Sequence, residues 1–372
     1  LGDLSTYARA LRPLLFLFPP QVAHDLGFAA LAPLERFGPV RALLGAAIAP
    51  PRDERLAVRA MGLEFPNPVG LAAGFDKNAR RPRAFAALGF GHLEIGTVTA
   101  QPQTANPEPN LFRLPADRAL INRLGFPNDG AERVAGRLRI ARDAVKVPVG
   151  VSIGKSRAVP IDDLATVIAD YVESFDRVGD VADFVVVNVS SPNTAGLRVM
   201  QAKEQARALL GTLVARAATR APPLPLLVKI APDLVDAEIE ELLAVVEEAG
   251  LAGIVATNTT VARGGLATNA SSVAAMGAGG LSGPPLRGRA IDVVRRARTR
   301  LGRKAVVIGV GGVERAEHAM SLVRAGADLV QMYTGFVYEG PRAPGRVTRG
   351  LAAMVEREGA RSIAELVGVD AA

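Results

Sequence analysis

From residue 67 onward one unit recurs along the chain: a short apolar run, a stop at glycine or a small polar residue, then an amphipathic stretch of helix length. The runs are VGLAAG (69–74), HLEIGTVT (92–99), VPVGVSIG (147–154), FVVVNVSS (184–191), PLLVKIAP (225–232), GIVATNTT (253–260), AVVIGVGG (305–312) and DLVQMYTG (328–335). Between them lie predicted helices such as 236–249, with Ile239, Leu242, Leu243 and Val246 on one face, and a last helix is predicted over 347–358. Continuous apolar strands that alternate with helices imply a parallel sheet covered by helices. Eight such units favour a closed (β/α)8 TIM barrel of the α/β class over an open doubly wound sheet.

The first 50 residues follow a different pattern. Val22, Leu26, Ala29, Ala30, Leu34 and Phe37 recur near helical spacing, with Pro33 expected to kink or end that helix, so two or three short helices are predicted. Leu14, Leu15, Phe16 and Phe18 precede them and Arg9, Arg12, Arg36 and Arg41 are interleaved, which would suit a membrane surface. Composition alone favours the plainer alternative, a helical cap packed on the main domain. The expected organisation is an N-terminal helical segment over 1–50 and a barrel over 51–372.

In a barrel of this kind the chemistry gathers at the C-terminal strand ends, and the polar stops fall there. They are Asp76-Lys77, Thr97 and Thr99, Ser152 and Lys155, Asn188 to Thr194, Lys229, Thr257-Asn258, Gly311-Gly312 and Tyr333-Thr334. Turn and capping chemistry explains any one of these, but not all eight together. Two connections, 100–128 and 261–286, are too long for ordinary loops and are expected to cover the site.

The remaining composition mostly excludes. With no cysteine and histidine only at 24, 92 and 318, disulfides, thiol nucleophiles and a zinc site are not expected, and no metal is assigned. The formal charge of +7 could suit nucleic acid, but the basic residues are dispersed, aromatics make up only 5%, and no nucleic-acid module is visible. No run of eighteen apolar residues exists, so neither a membrane span nor a secretory signal is predicted and an intracellular chain is expected.

Lysine occurs only at 77, 146, 155, 203, 229 and 304, so Lys229 inside LPLLVKIAPDL stands out. A buried ammonium needs a negative partner, either a protein carboxylate or a bound anion. The Gly279-Gly280 and Gly311-Gly312 pairs, with Gly283 between them, suit a phosphate at helix starts. Ser191 is the general-base candidate in the most deliberate setting. A serine base needs a strong electrostatic drive, which hydride transfer from the substrate to a cofactor would supply.

The strings LAAGFDKNA, GFGHLEIGTVTAQPQ, NLFRLPADRALINRLGF, VVVNVSSPNTAGLR, VKIAPDL, ATNTT, GGLSGPPLRG, VIGVGG and LVQMYTGF together resemble the quinone-linked, membrane-associated class of the dihydroorotate dehydrogenase family, in order and spacing from about residue 5 to 340. The resemblance implies an FMN-dependent barrel that oxidises (S)-dihydroorotate to orotate in pyrimidine biosynthesis and passes electrons to a membrane quinone. It implies Ser191 as the base at C5, the C6 hydride going to flavin N5, with Thr194 and Phe126 at the proton exit. Substrate ligands would be Lys77, Asn122, Asn188, Asn193, Asn258 and Thr259, together with Arg123, Leu124, Gly125 and Phe126 of the covering loop.

For FMN the matching positions are Ala73, Gly74, Phe75, Asp76, Lys77, Thr97, Ser152, Asn188, Lys229, Thr257, Gly283, Gly312, Tyr333 and Thr334. His24 and Arg113 match the polar end of the family's quinone tunnel. The resemblance reverses the preference drawn from composition and implies peripheral attachment at the cytoplasmic face of a bacterial cell membrane. Two departures stand out: the chain reads GVSIGKS where the family usually has GVNIGKN, so Ser152 replaces an amide, and Pro127 precedes Asn128 where Asn often follows Phe126. The competing expectations are a flavin barrel acting on another dihydropyrimidine, which would be expected to use a cysteine, and a membrane-bound binding protein without turnover.

Overall fold

The computed structural model describes residues 7–371; residues 1–6 of the predicted N-terminal segment, and Ala372, lie outside the described residues. Eight parallel strands close into a barrel in sequence order: β1 Val69–Leu71, β2 His92–Val98, β3 Val149–Ile153, β4 Phe184–Asn188, β5 Leu226–Ile230, β6 Gly253–Ala256, β7 Val306–Val310 and β8 Leu329–Met332, with β8 pairing back onto β1. Each strand lies within one of the eight apolar runs. The runs are continuous rather than alternating because both faces are covered, one by the barrel interior and one by helices. Val185, Val186 and Val187 of β4 are all fully buried. The predicted helices appear as Asp236–Ala249 and Ala343–Arg357.

The barrel interior is not wholly apolar. Glu94 of β2 reaches Lys229 of β5 at 3.4 Å and accepts a hydrogen bond of 2.7 Å from Gln331 of β8. Since β2 is a sheet neighbour of neither β5 nor β8, these contacts cross the interior. His92, two residues before Glu94 and so on the same face, lies deeper. A Cβ on Gly70 would lie 2.1 Å from His92 Nε2, so β1 carries glycine where the imidazole needs the space. Burial pushes His92 down to about 3, so the ring is neutral. Phe65, from the antiparallel pair Val58–Ala60 and Leu63–Phe65, meets it edge-on at 5.6 Å on the N-terminal side of the barrel.

The two long connections cover the opposite end, and they do so as a sheet that the sequence reading did not assign. Leu111–Leu114 and Ala119–Asn122 from the first pair antiparallel, and Gly280–Ser282 from the second adds to them. A separate apolar cluster of Leu114, Ala119, Ile121, Val273 and Leu281 holds this cover together.

The N-terminal segment forms short turns at Tyr7–Leu11 and Arg12–Leu15, followed by α1 Pro20–Ala30, α2 Ala32–Arg36 and α3 Gly38–Ile48. The break between α1 and α2 sits at Leu31, and Pro33 falls in the first turn of α2, where its missing N–H is tolerated. The segment is tied to the barrel by Tyr7 Oη donating to Val337 O (2.8 Å), Arg12 to Tyr338 O (3.1 Å) and Ala84 N to Glu35 Oε2 (3.1 Å). Its outer side is apolar: Leu17 is 80% and Leu43 73% exposed, with Leu11, Leu14, Phe18, Val22, Leu26 and Phe37 also exposed. Among the described residues no helix is long and apolar enough to cross a membrane.

Candidate active site

A cleft of about 980 Å³, its open mouth included, lies at the C-terminal ends of the barrel strands beneath the covering sheet. Most of the candidates named from the sequence meet there. The β1 end supplies Ala73, Gly74 and Lys77, β2 supplies Thr97, and the β4 end supplies Asn188, Ser191 and Asn193. Lys229 comes from β5, Thr257, Asn258 and Thr259 follow β6, Gly312 follows β7, and Tyr333-Thr334 follow β8. Asn122, Leu124, Gly125, Phe126 and Gly283 come from the two covering connections.

Other candidates lie elsewhere. Arg123 turns outward: its guanidinium donates to Pro109 O (2.7 Å) and Met276 O and stacks on Phe112. Asp76 is buried as a local cap, accepting from Arg80 N and Arg81 N at 2.8 Å each. Lys155 points away, its ammonium held by the Ser156 and Val159 carbonyls. Ser152 is fully buried with Oγ 3.0 Å from Thr97 Oγ1, so this hydroxyl is engaged by a neighbour behind the cleft wall. Thr194 also lies off the wall, and its Oγ1 is buried with no hydrogen-bond partner.

The lining carries two lysines and no carboxylate, which suits anionic ligands. Lys77 donates to Gly74 O at 2.6 Å, and burial pushes its ammonium down to about 8 against the pull of Asp76 and Asp25. Lys229 has the protein counterion that the sequence reading left open, in Glu94. Sequence reasoning missed Glu94, although a charged residue alternating with His92 inside an apolar strand was a visible signal. Ser191 is buried, and its Oγ accepts from Asn193 N at 3.2 Å. Asn193 Nδ2 in turn donates to Asn122 Oδ1 at 3.1 Å, which links the β4 end to the cover.

One end of the cleft is built from backbone. A Cβ on Gly283 would meet Arg118 O at 2.9 Å, and one on Gly312 would meet Gly283 O at 3.0 Å. Both glycines therefore permit an approach that a side chain would block. Thr334 Oγ1 and Ser282 Oγ, 2.8 Å apart, line the same end, and the helix Arg287–Leu301 follows the turn Pro284–Leu286. This donor-rich, carboxylate-free cradle has the chemistry of a phosphate site. Lys229 and Thr97 farther in supply donors for a polar ring system. The residues present thus fit a phosphorylated planar cofactor.

A second cavity of about 1150 Å³ lies between the N-terminal segment and the barrel, lined mainly by apolar side chains including Leu11, Leu15, Phe16, Phe28 and Leu31. His24 and Arg113 are its polar features. His24 stacks on Phe28 at 4.9 Å, its Nε2 is buried without a partner, and burial lowers its pKa. Arg113 donates to Leu15 O and Phe18 O, and its guanidinium sits 4.5 Å over the Phe16 ring. Tyr333 belongs to the walls of both cavities, and Phe75 faces the second, 5.3 Å from the Tyr333 ring.

Comparison with known proteins agrees with this arrangement. Residues 55–355 match the family model described as dihydroorotate dehydrogenase. The chain is 55% identical to the dihydroorotate dehydrogenase (quinone) of Thermobifida fusca, covering 94% of this chain and 92% of that protein. It is 51% identical to that of Nocardia farcinica, covering 98% and 97%. Among solved structures, ligand-free DHODH of Eimeria tenella superposes with a TM-score of 0.82 at 34% identity, covering 94% of this chain and 99% of that one. The ferulenol complex of the same protein gives 0.81 at 34% identity, covering 94% and 95%.

Proposed function

The chain belongs to the dihydroorotate dehydrogenase family, and we propose that its two cavities serve the two halves of the quinone-linked reaction. The enzyme is a flavin-dependent oxidoreductase that oxidises dihydroorotate to orotate in pyrimidine biosynthesis, with a quinone as acceptor. We take the flavin to be FMN: Gly283, Gly312 and Thr334 would hold its phosphate, Lys229 and Thr97 its ring edge, and Ala73 and Gly74 the approach from β1. When bound, this cofactor accepts the hydride from substrate and returns two electrons to quinone.

The protein's own residues would do the rest. Lys77 would meet the substrate carboxylate, and the amides of Asn122, Asn188, Asn193 and Asn258 would pair with the pyrimidine ring. Ser191 would take the C5 proton while its own hydroxyl proton passes on toward the exit beside Phe126 and Thr194, with its Oγ held by Asn193 N. Phe126 and Leu124, under the cover, exclude water from that proton transfer. In the second cavity His24 Nε2 and Arg113 would orient the quinone head. The exposed apolar side of segment 7–50 would lie on the cytoplasmic face of the membrane and open that cavity to the lipid.

The observation that carries this reading is the convergence of Ser191, Lys77 and four asparagine amides on one carboxylate-free cleft, with Tyr333 shared with an apolar cavity. The test is Ser191→Ala, which should retain flavin yet lose about 10²–10⁴-fold in flavin reduction by dihydroorotate, the usual contribution of a positioned base. Near-normal reduction would remove Ser191 from that role.

A further inference from the structure

Ser190 sits beside the proposed base but does not line the cleft, and its side chain is fully buried. Its hydroxyl accepts from Asn258 Nδ2 at 2.9 Å and lies 3.2 Å from Asn188 Oδ1, to which it donates. The two asparagines come from strand ends β4 and β6, which are not sheet neighbours. Ser190 therefore bridges them across the rim, beside a longer direct contact of 3.4 Å from Asn258 Nδ2 to Asn188 Oδ1.

The sense of both amides is fixed by backbone donors. Ser190 N donates to Asn188 Oδ1 at 3.2 Å and Thr259 N to Asn258 Oδ1 at 2.8 Å, and a backbone N–H can only donate. Each Nδ2 group then has one hydrogen spent inside the protein, that of Asn188 on Thr97 Oγ1 (2.9 Å) and that of Asn258 on Ser190 Oγ. Asn258 Nδ2 also lies 3.4 Å from Asn188 Oδ1, so its second hydrogen is shared with that oxygen, and the N–H left for the cleft that both residues line is that of Asn188. The pair thus offers a donor, matched to a ring carbonyl rather than to a ring N–H group.

The backbone behind this bridge is also pinned. Arg198 donates to Ser190 O (3.2 Å) and to Thr259 O (3.3 Å), and its guanidinium pairs with Asp233 at 2.9 Å. One guanidinium thereby ties the β4 and β6 ends together from outside, while the Ser190 hydroxyl ties them from inside.

We infer that Ser190 is a positioning residue that sets the spacing of the Asn188 and Asn258 amides and so the fit of a ring bearing carbonyl groups. This inference rests on the substrate reading above. Removing the hydroxyl leaves a buried Nδ2 hydrogen and a carbonyl oxygen each short of one partner, and lets the two amides drift relative to each other.

The experiment uses flavin-loaded wild type, Ser190→Ala and Ser190→Cys, with orotate binding read from its perturbation of the flavin spectrum and turnover from dihydroorotate-dependent quinone reduction. In both variants orotate Kd and dihydroorotate KM should rise roughly ten-fold, the worth of a hydrogen bond or two, while kcat and flavin content stay near wild type and Tm falls by no more than a few degrees. Cysteine keeps the volume but is a poor hydrogen-bond partner, so a variant that binds orotate like wild type would show that Ser190 only fills space and would overturn the inference. So would unchanged binding in Ser190→Ala, or a loss that falls on kcat with KM unaltered. If orotate leaves the wild-type spectrum unmoved, the substrate reading itself fails, which is a separate result.

Discussion

At the scale of single residues, the two lysines in the cleft sit in different surroundings. Among the described residues Lys77 has no carboxylate within hydrogen-bonding reach, and burial lowers it from 10.5 to about 8. Its ammonium is complete below that value and lost as pH rises through it. Orotate affinity, measured by flavin perturbation between pH 6 and 10, should therefore be flat on the acid side and fall up to about ten-fold per pH unit above about 8. The folding linkage runs the other way: between about 8 and 10.5 the unfolded chain holds a proton that the folded one does not, so this group's contribution to stability rises with pH. A flat affinity profile to pH 10 would remove Lys77 from the carboxylate role.

Lys229 is paired instead. With side chains 6% and 0% exposed, it and Glu94 form a buried ion pair, and removing either partner strands the other. Lys229→Met should cost about 3–5 kcal/mol of unfolding free energy in urea, and adding Glu94→Gln should recover much of it. If the double variant is no more stable than Lys229→Met alone, the pair is not the interaction that holds Glu94 in the barrel.

At the scale of elements, the barrel strands were legible because eight apolar runs recurred along the chain, each ending in polar or glycine residues, and most of the cleft residues lay at those ends, the others coming from the two covering connections. The covering sheet was not. Its strands are three or four residues long and its third member is separated by some 160 positions in the pairing Gly280 with Asn122, so no local pattern announces it. Arg123 illustrates the consequence: sequence adjacency to Asn122 suggested a substrate contact, but successive residues of an extended segment face opposite ways, and its guanidinium is spent on the cover itself. Ser190 was legible only as one of the polar residues at the β4 end, because one of its two partners, Asn258, comes from another strand end.

The N-terminal helices were predicted from spacing, and what they expose decides their use. Leu17 and Leu43 are exposed and line neither cavity. Replacing both with Asp should weaken sedimentation with phospholipid vesicles while leaving reduction of a short-chain, water-soluble quinone unchanged. Undiminished vesicle binding would remove this face from the proposed membrane role.

At the scale of the whole molecule, two cavities of different chemistry meet at a thin wall. The polar, cationic cleft lies inside the barrel mouth, and the apolar cavity lies under helices whose outer side is apolar too. Tyr333, at the start of the short helix Thr334–Glu339, and Phe75, next to Gly74, keep the two apart with packed aromatic rings. Under the proposed function a substrate would arrive from water and an acceptor from lipid, and this wall would keep the two from meeting. The most direct measurement is an anaerobic titration of the purified protein with dihydroorotate, followed by quinone. The flavin absorbance should bleach with about one equivalent of dihydroorotate and return on adding quinone, consistent with a two-electron cofactor. A flavin band that dihydroorotate leaves unchanged would contradict the assignment of the cleft.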